Sequence, residues 1–574
     1  MRRKILVILA AFGLAGLGCK DPKPDPASAP SVAPATSSIA TDEPAGEILA
    51  RIHFVGSDQL EADTNAATLN RIGSLPETAA LRSDILDKLA TAPGRSMGLA
   101  TNVTAEVAAG IRPLLNDLLS AESYLEVRDK EGGEPEWALA VNLKGTRLGA
   151  WESGLKDVLA GLGHGQTSPF EANGTKGWEV AAKKGGNVFR FFKAEGGLLI
   201  LDASGQPITG WTVLGSGAGE QSLAGEIVAR LAAGGKPGPS GEEDALEVTI
   251  DFPRLVEEFK WDRWEGLPYI DIQSRVVKDN VRSTGSLVFP EALGLTTDAW
   301  KIPTNTIHDP LISFTAARGI APWLEKQSFY QAVKLKQTPN QAFAWAMGGP
   351  FFLSHIAVPA PGSTNQIGEL VPRLEKIFRE EFKKRGLGTV TNVAKATMVQ
   401  WMDGFPIAAR PFVRSSEEAT DDFLMMGLLP VGHGQFTNPP PAALVGQITG
   451  KKDLIYYNWE ITQDRLTQLK LIFQFASWIS NRPKMAANTA ADKWVNAVGA
   501  NLGNTATEIT LASPREMKLV RTSHLGLSAF EIMTLSYWVN SGEFPLDGLR
   551  MPFLPLRESG SLRLPVGPAV PPNR

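Results

Sequence analysis

Six histidines are spread along the chain, at His53, His164, His308, His355, His433 and His524. No two lie within a helical turn of each other, so neither the H-E-x-x-H zinc helix nor an H-x-H strand pair is present. His433 stands in Pro430-Val-Gly-His-Gly-Gln-Phe-Thr-Asn-Pro439, a loop rich in glycine and proline with polar side chains. Loops carry function disproportionately, which makes His433 a candidate site residue, set against an ordinary surface histidine in a turn. Glu417, Glu418, Asp421 and Asp422 put four carboxylates in six positions. They lack the alternating oxygens and glycine turn of a calcium loop, and a solvated helix start explains them. Gly215-Ser-Gly217-Ala-Gly219 precedes a helix expected from Leu223, but Glu220 stands where a dinucleotide loop needs its third glycine. Gly446 to Lys452 is one residue short of a phosphate-binding loop and lacks the following Ser or Thr. Trp261, Trp264 and Tyr269 offer an aromatic platform, though packing beneath a hairpin suits such costly side chains better. No G-x-S-x-G elbow occurs. Local spacing therefore identifies no catalytic, cofactor-binding or metal-binding residue.

The chain has one cysteine, which excludes internal disulfides and cysteine-based zinc sites. Arg2, Arg3 and Lys4 precede an apolar run from Ile5 to Leu17, too short to span a membrane and of the form of a secretory signal. Cys19 follows directly on Gly16-Leu17-Gly18. The segment resembles the lipobox of bacterial lipoproteins. That resemblance implies a signal peptide over 1–18, lipidation of Cys19, and a body held by its anchor at a bacterial membrane, the outer one, facing the periplasm or the exterior. From Lys20 to Gly46, eighteen of 27 residues are Pro, Ala, Ser or Thr. Such a stretch cannot bury enough surface to order itself, so 19–46 reads as a disordered tether. As a coil it spans roughly 5–6 Å × √27, about 30 Å. Six prolines in 551–574 mark a Pro-rich tail.

Between these ends the pattern is of short strands and amphipathic helices. Glu136–Leu143 reads as a strand followed by a helix from Arg147 to Leu162, then by strands at 177–181, 187–192 and 197–201. Leu246–Asp251 leads into a helix near Arg254 and a hairpin of 269–277 with 281–289, turning at Lys278-Asp279-Asn280. Leu454–Trp459 leads into a helix from Gln463 to Ile479 and strands at 508–512 and 516–522. A degraded copy begins at Leu311. In each copy an arginine follows the strand, at Arg147, Arg254, Arg318 and Arg465. Turn chemistry, with the long stem laid over the sheet edge, explains these better than a row of anion ligands. Ser74-Leu-Pro-Glu77 caps a helix expected to end near Ala90, before Pro93-Gly94. A longer helix, 364–385, is expected to bend at Pro372. Directly joined hairpins with strand–helix steps predict an α+β fold. Its expected form is two lobes, 47–305 and 306–550, each a mainly antiparallel sheet with packed helices, built from divergent strand–helix–hairpin repeats. The pattern is similar to large bacterial envelope lipoproteins with duplicated α+β lobes, a resemblance that carries over no functional residues.

A length of 574 residues, 43% hydrophobic and 21% charged, is that of a folded chain with several packed units. A net charge of −4 excludes a generally basic nucleic-acid binder. The expected function is a non-catalytic envelope lipoprotein that binds or scaffolds a protein or glycan partner, needs no cofactor, and meets the membrane through its lipid anchor. A carrier or chaperone for an apolar ligand and a hydrolase with a dispersed active site are the alternatives.

Overall fold

The computed structural model describes residues 48–546, apart from 130–134, 165, 173, 181–188, 195–208, 217–221, 240–243, 260–265, 349–352, 385–390, 396, 402–409, 418–420, 429–437 and 480–484. Cys19, the tether, the tail, the His433 loop, the strand expected at 197–201, and Trp261 with Trp264 lie outside the described residues.

β1 (Ile48–Phe54) is followed by four helices, α1 (Ser57–Ala62), α2 (Ala67–Gly73), α3 (Pro76–Met97) and α4 (Thr101–Ser120). Next come the paired β2 (Ser123–Arg128) and β3 (Glu136–Lys144), then α5 (Gly145–Gly161). The meander β4 (Ser168–Ala172), β5 (Thr175–Val180), β6 (Phe189–Ala194) and β7 (Thr209–Ser216) leads to α6 (Leu223–Ala232). β8 (Leu246–Asp251), α7 (Phe252–Phe259) and the hairpin β9 (Tyr269–Val277) and β10 (Asn280–Val288) follow. The second half opens with β11 (Leu311–Arg318), α8 (Ala321–Leu324), α9 (Ser328–Val333), β12 (Gln341–Met347), β13 (Ser354–Pro359) and α10 (Ser363–Lys384). Then come β14 (Asn392–Lys395), β15 (Met398–Trp401), β16 (Phe412–Glu417), β17 (Asp422–Gly427) and α11 (Ala442–Thr449). The chain closes with β18 (Leu454–Ile461), α12 (Thr462–Ile479), α13 (Ala490–Gly499), β19 (Asn504–Ser513), β20 (Glu516–Ser523) and α14 (Ala529–Val539).

The fold is mixed α+β around one large antiparallel sheet. Its order is β4-β5-β6-β7-β3-β2-β1-β8-β9-β10-β20-β19-β18-β11-β12-β13-β17-β16-β15-β14, with every neighbouring pair antiparallel. Adding ten to any strand number in the first ten places gives the strand at the mirrored place counted from the other end. The middle of the sheet is the ladder of β10 with β20, from Val281 opposite Ser523 to Val288 opposite Glu516.

Alternation along the strands sorts side chains to two faces. In β3, Leu139, Val141 and Leu143 enter one core, and Ala138 and Ala140 enter another beneath α6. Small residues let that helix seat closely: a Cβ on Gly215 of β7 would lie 2.5 Å from the Ala224 Cβ. The first core draws on both halves of the chain, with Phe54, Leu81, Leu89 and Trp151 meeting Phe473, Trp494 and Met533. Polar contacts fix the same junction. Trp494 Nε1 donates to Thr78 Oγ1 at 3.0 Å, and Lys88 Nζ donates to the Val539 carbonyl at 2.7 Å. Elsewhere α11 covers Phe343, Trp345 and Phe423, and α10 lays Ile367 and Leu370 on Trp401 and Leu424.

Two expectations are corrected here. Helix α3 does not stop near Ala90. It runs through Pro93 to Met97, and Gly98, at φ 66°, ends it. A packed α4 holds that last turn in place, since Gly94 sits so close to Thr104 that a Cβ there would lie 2.7 Å from its Cγ2. The acidic group is likewise no helix start: Glu417 and Asp422 face each other across the β16–β17 hairpin. Asp422 accepts from the Gly362 N–H at 2.8 Å, and Asp421 pairs with Lys301 at 2.5 Å. α10 runs unbroken through Pro372.

Because the junction core is shared, Trp494→Ala should cost the whole molecule about 3–5 kcal/mol through the lost indole. Urea unfolding followed by far-UV circular dichroism checks this; a midpoint unchanged from the parent would show that α13 adds little to the core.

Candidate functional site

The residues most able to do chemistry gather under α14. Its first turn is a capping box, in which Ser528 Oγ accepts from the Glu531 N–H at 3.4 Å and Glu531 Oε2 accepts from the Ser528 N–H at 2.8 Å. Two carboxylates stand at this positive helix end, as the dipole favours. One is Glu531 itself, held by Arg521 through Nη1–Oε2 at 2.7 Å and Nη2–Oε1 at 3.0 Å. The other is Glu460 of β18, which accepts from the Ala529 N–H at 2.6 Å and is only 3% exposed.

Behind this turn lies a polar cavity of about 250 Å³ whose walls include Tyr456, Asn458, Glu460, Arg465, Thr507 and Arg521. Arg521 Nε donates to Thr507 Oγ1 at 2.9 Å, and Thr315 Oγ1 donates to Asn458 Oδ1 at 2.7 Å. Arg465, in the first turn of α12, is only half-buried by surface area, yet its guanidinium is enclosed by protein. Its partners are neutral: Nη1 donates to Ser354 Oγ at 3.2 Å and to Gln468 Oε1 at 3.1 Å. Among the described residues no carboxylate lies within ion-pair distance of it. Burial lowers the Arg465 pKa against the attraction of Glu460. Burial raises the Glu460 pKa against the Ala529 N–H and Arg465, and pushes the Tyr456 hydroxyl up to about 12.

A second cavity, of about 170 Å³, is largely apolar. Phe54, Leu81, Val276, Trp494, Ile532 and Leu535 line it. The hydroxyls of Ser274 and Ser283, also in its wall, satisfy each other at 2.8 Å. Ser283 lines this cavity and its cross-strand partner Arg521 lines the polar one. Paired strands lie about 4.8 Å apart, so the two spaces adjoin at the β10–β20 ladder with α14 as a common wall.

A separate charged group occupies β1 and its neighbours. His53, 4% exposed, sits 3.1 Å from Glu122 Oε1 and 3.9 Å from Glu247 Oε1. Burial opposes its charge, but the hydrogen bond to Glu122 and the nearby charge of Glu247 outweigh it and raise its pKa to about 9. Glu126 beside it, 1% exposed, pairs with Arg128 at 2.7 Å and accepts from the Tyr124 hydroxyl. His53 Nδ1 makes no hydrogen bond and faces Glu247 through charge alone. Among the described residues no three of His, Cys, Asp and Glu form a group that could hold a metal, and no helix is long and apolar enough to cross a membrane.

Of the four arginines singled out by spacing, Arg147, Arg254 and Arg465 stand in the first turn of the helix that directly follows a strand, and Arg318 does not. Arg147 and Arg254 stand in the first turn of α5 and α7, pairing with Asp117 and Asp129 at 2.7 Å. Arg318 is still in β11, where Nε donates to the Leu454 carbonyl at 2.6 Å and the guanidinium lies over Trp300. Arg254 and Arg465 also hold mirrored places in the strand order, after β8 and β18. Local spacing missed His53, Glu122, Glu247, Glu460 and Arg521; the available signal was a charged residue within an otherwise apolar strand, as in Ile48–Phe54 and Leu454–Ile461. No protein-family model, curated protein sequence or solved structure matches this chain.

His53 makes stability depend on pH. Its folded pKa, about 9, lies above the ordinary 6.5, so its stabilisation is full below about pH 6.5 and is lost as pH rises through 9. At 1.36 kcal/mol per pKa unit the swing is about 3 kcal/mol. His53→Gln should flatten the fall in urea midpoint between pH 6.5 and 9; an unaltered slope would mean that other groups carry it.

Proposed function

We propose that this chain is a non-catalytic binding protein of the cell envelope, anchored through a lipid on Cys19, that holds a small ligand beneath α14. The adjoining polar and apolar cavities carry the reading. The partly open apolar space, about 170 Å³, is large enough to take a ring or a short alkyl group. The carrier form of the binding reading is favoured over a protein scaffold by this same cavity. Against hydrolysis stands the geometry of the acidic groups: Glu460 and Glu531 are engaged by the first turn of α14, and the carboxylate that accepts from the Ser528 hydroxyl, Glu531, is itself held by Arg521 through two contacts. We further infer that 47–305 and 306–550 are two lobes descended from one ten-strand unit, a reading supported by the shared strand order.

Two measurements test this. Cys19→Ala should move the protein from the membrane to the soluble fraction, since two acyl chains anchor firmly; retention in membranes would overturn the lipid anchor. Native mass spectrometry of the complete chain carrying Cys19→Ser should show a small-molecule adduct lost on denaturation. A bare mass in every preparation, with stoichiometric capture of an envelope protein, would replace the carrier with a scaffold.

A further inference from the structure

We propose that the polar cavity takes a small zwitterion, an α-amino acid with a short polar side chain, its carboxylate on Arg465 and its ammonium on Glu460. The inference rests on the binding reading above, names the ligand's chemical class, and concerns the polar cavity alone.

Three observations lead to it. First, the Arg465 guanidinium, enclosed in the cavity wall, uses only Nη1, which donates to the neutral oxygens of Ser354 and Gln468. Among the described residues its Nε and Nη2 have no hydrogen-bond partner. Those two N–H groups form the fork that a planar carboxylate takes with both oxygens. The chain itself uses that fork elsewhere: Arg147 holds Asp117 through Nε at 2.9 Å and Nη2 at 2.7 Å.

Second, Glu460, in the same wall, is the carboxylate whose charge acts on Arg465, yet the two do not meet as an ion pair. Glu460 is held by the Ala529 N–H and the Asn458 side chain, and a carboxylate has about four acceptor positions. Arg521 and Glu531, by contrast, already satisfy each other through two contacts. Two opposite charges kept apart beside one enclosed polar space match a molecule that carries the complementary pair. An α-amino acid does so, with its ammonium on the carbon next to its carboxylate.

Third, charge and size select among small polar molecules. The four charges in the wall, Arg465, Arg521, Glu460 and Glu531, cancel. A simple anion or cation would bring an unmatched charge into this space, which is costly, whereas a zwitterion leaves the sum at zero. The volume, about 250 Å³, exceeds the space of about 150 Å³ that accepts benzene in another protein, so a molecule the size of serine fits. Tyr456 and Thr507 offer it neutral hydroxyls.

The test is calorimetric titration of the complete chain carrying Cys19→Ser, cleared of any adduct, with three probes. These are L-serine, glycerate (a hydroxyl in place of the ammonium) and serinol (an alcohol in place of the carboxylate). Serine should bind most tightly, with glycerate and serinol each about tenfold or more weaker. Arg465→Gln should weaken serine by about tenfold and leave serinol unchanged. Glu460→Gln, which keeps an acceptor for the Ala529 N–H, should weaken serine by a similar factor and not weaken glycerate. Glycerate as tight as serine, with serine indifferent to Glu460→Gln, overturns the ammonium site. Serinol as tight as serine, with serine indifferent to Arg465→Gln, overturns the carboxylate site. Because the ligand series is read in the parent protein, the inference stays falsifiable if a variant does not fold. Failure of every probe, with a natural adduct present before clearing, overturns the zwitterion alone; failure with no adduct overturns the binding reading as well.

Discussion

Backbone hydrogen bonding between β10 and β20 joins two runs of ten strands into one sheet, and the positions of α3, α13 and α14 follow from it. The ladder sets Ser283 beside Arg521, and Arg521 holds Glu531, so the first turn of α14 is placed by side chains that the ladder itself aligns. From there α14 descends across the ladder, and Trp494 of α13 reaches Thr78 of α3. A shift of one residue between β10 and β20 would send Arg521 to the opposite face and leave the helix cap without its counter-ion. Register is thus the constraint on which both cavities depend.

The two buried polar groups contrast in how their charges are met. His53, between core residues Ile52 and Phe54 in sequence, is held by Glu122, just before β2, and by Glu247 of β8. A charged group so enclosed fixes strand pairing, because each alternative register leaves it without partners. Under α14 the balance is incomplete: Arg521 and Glu531 satisfy each other, while Arg465 is left to neutral oxygens. Structural networks tend toward full satisfaction, and Arg465 departs from that, the charge of Glu460 acting on it without an ion pair among the described residues.

Much of the strand pattern was legible in the sequence. Leu246–Asp251 coincides with β8, and the 269–277 strand coincides with β9, since alternation and the Lys278-Asp279 turn at positive φ leave little freedom. Helix ends were less so, because Pro93 is overridden by packing of α4 that no local window contains. The acidic hairpin at Glu417–Asp422 misled for the same reason: its carboxylates answer to Gly362 and Lys301, 60 and 120 residues away. The cavities were illegible for a topological reason. Their walls come from β1, β8 to β11, β18 to β20 and six helices, brought together only by the strand order. Arg465 was visible as a residue, but its lack of a carboxylate is a property of the space around it.

The last of the described strands to be made, β20, is one of the two at the centre of the sheet. As the chain emerges from its N-terminus, β10 is complete at Val288, yet its partner begins only at Glu516. For more than two hundred residues of synthesis the first half therefore carries an open edge, of the kind that recruits other chains. Arg282, Thr284 and Ser286 on that edge strand are polar enough to delay wrong partners. Contacts this remote in sequence are slow to form, so closure of the sheet waits on β20, and deletion of that strand would be felt first in yield and aggregation.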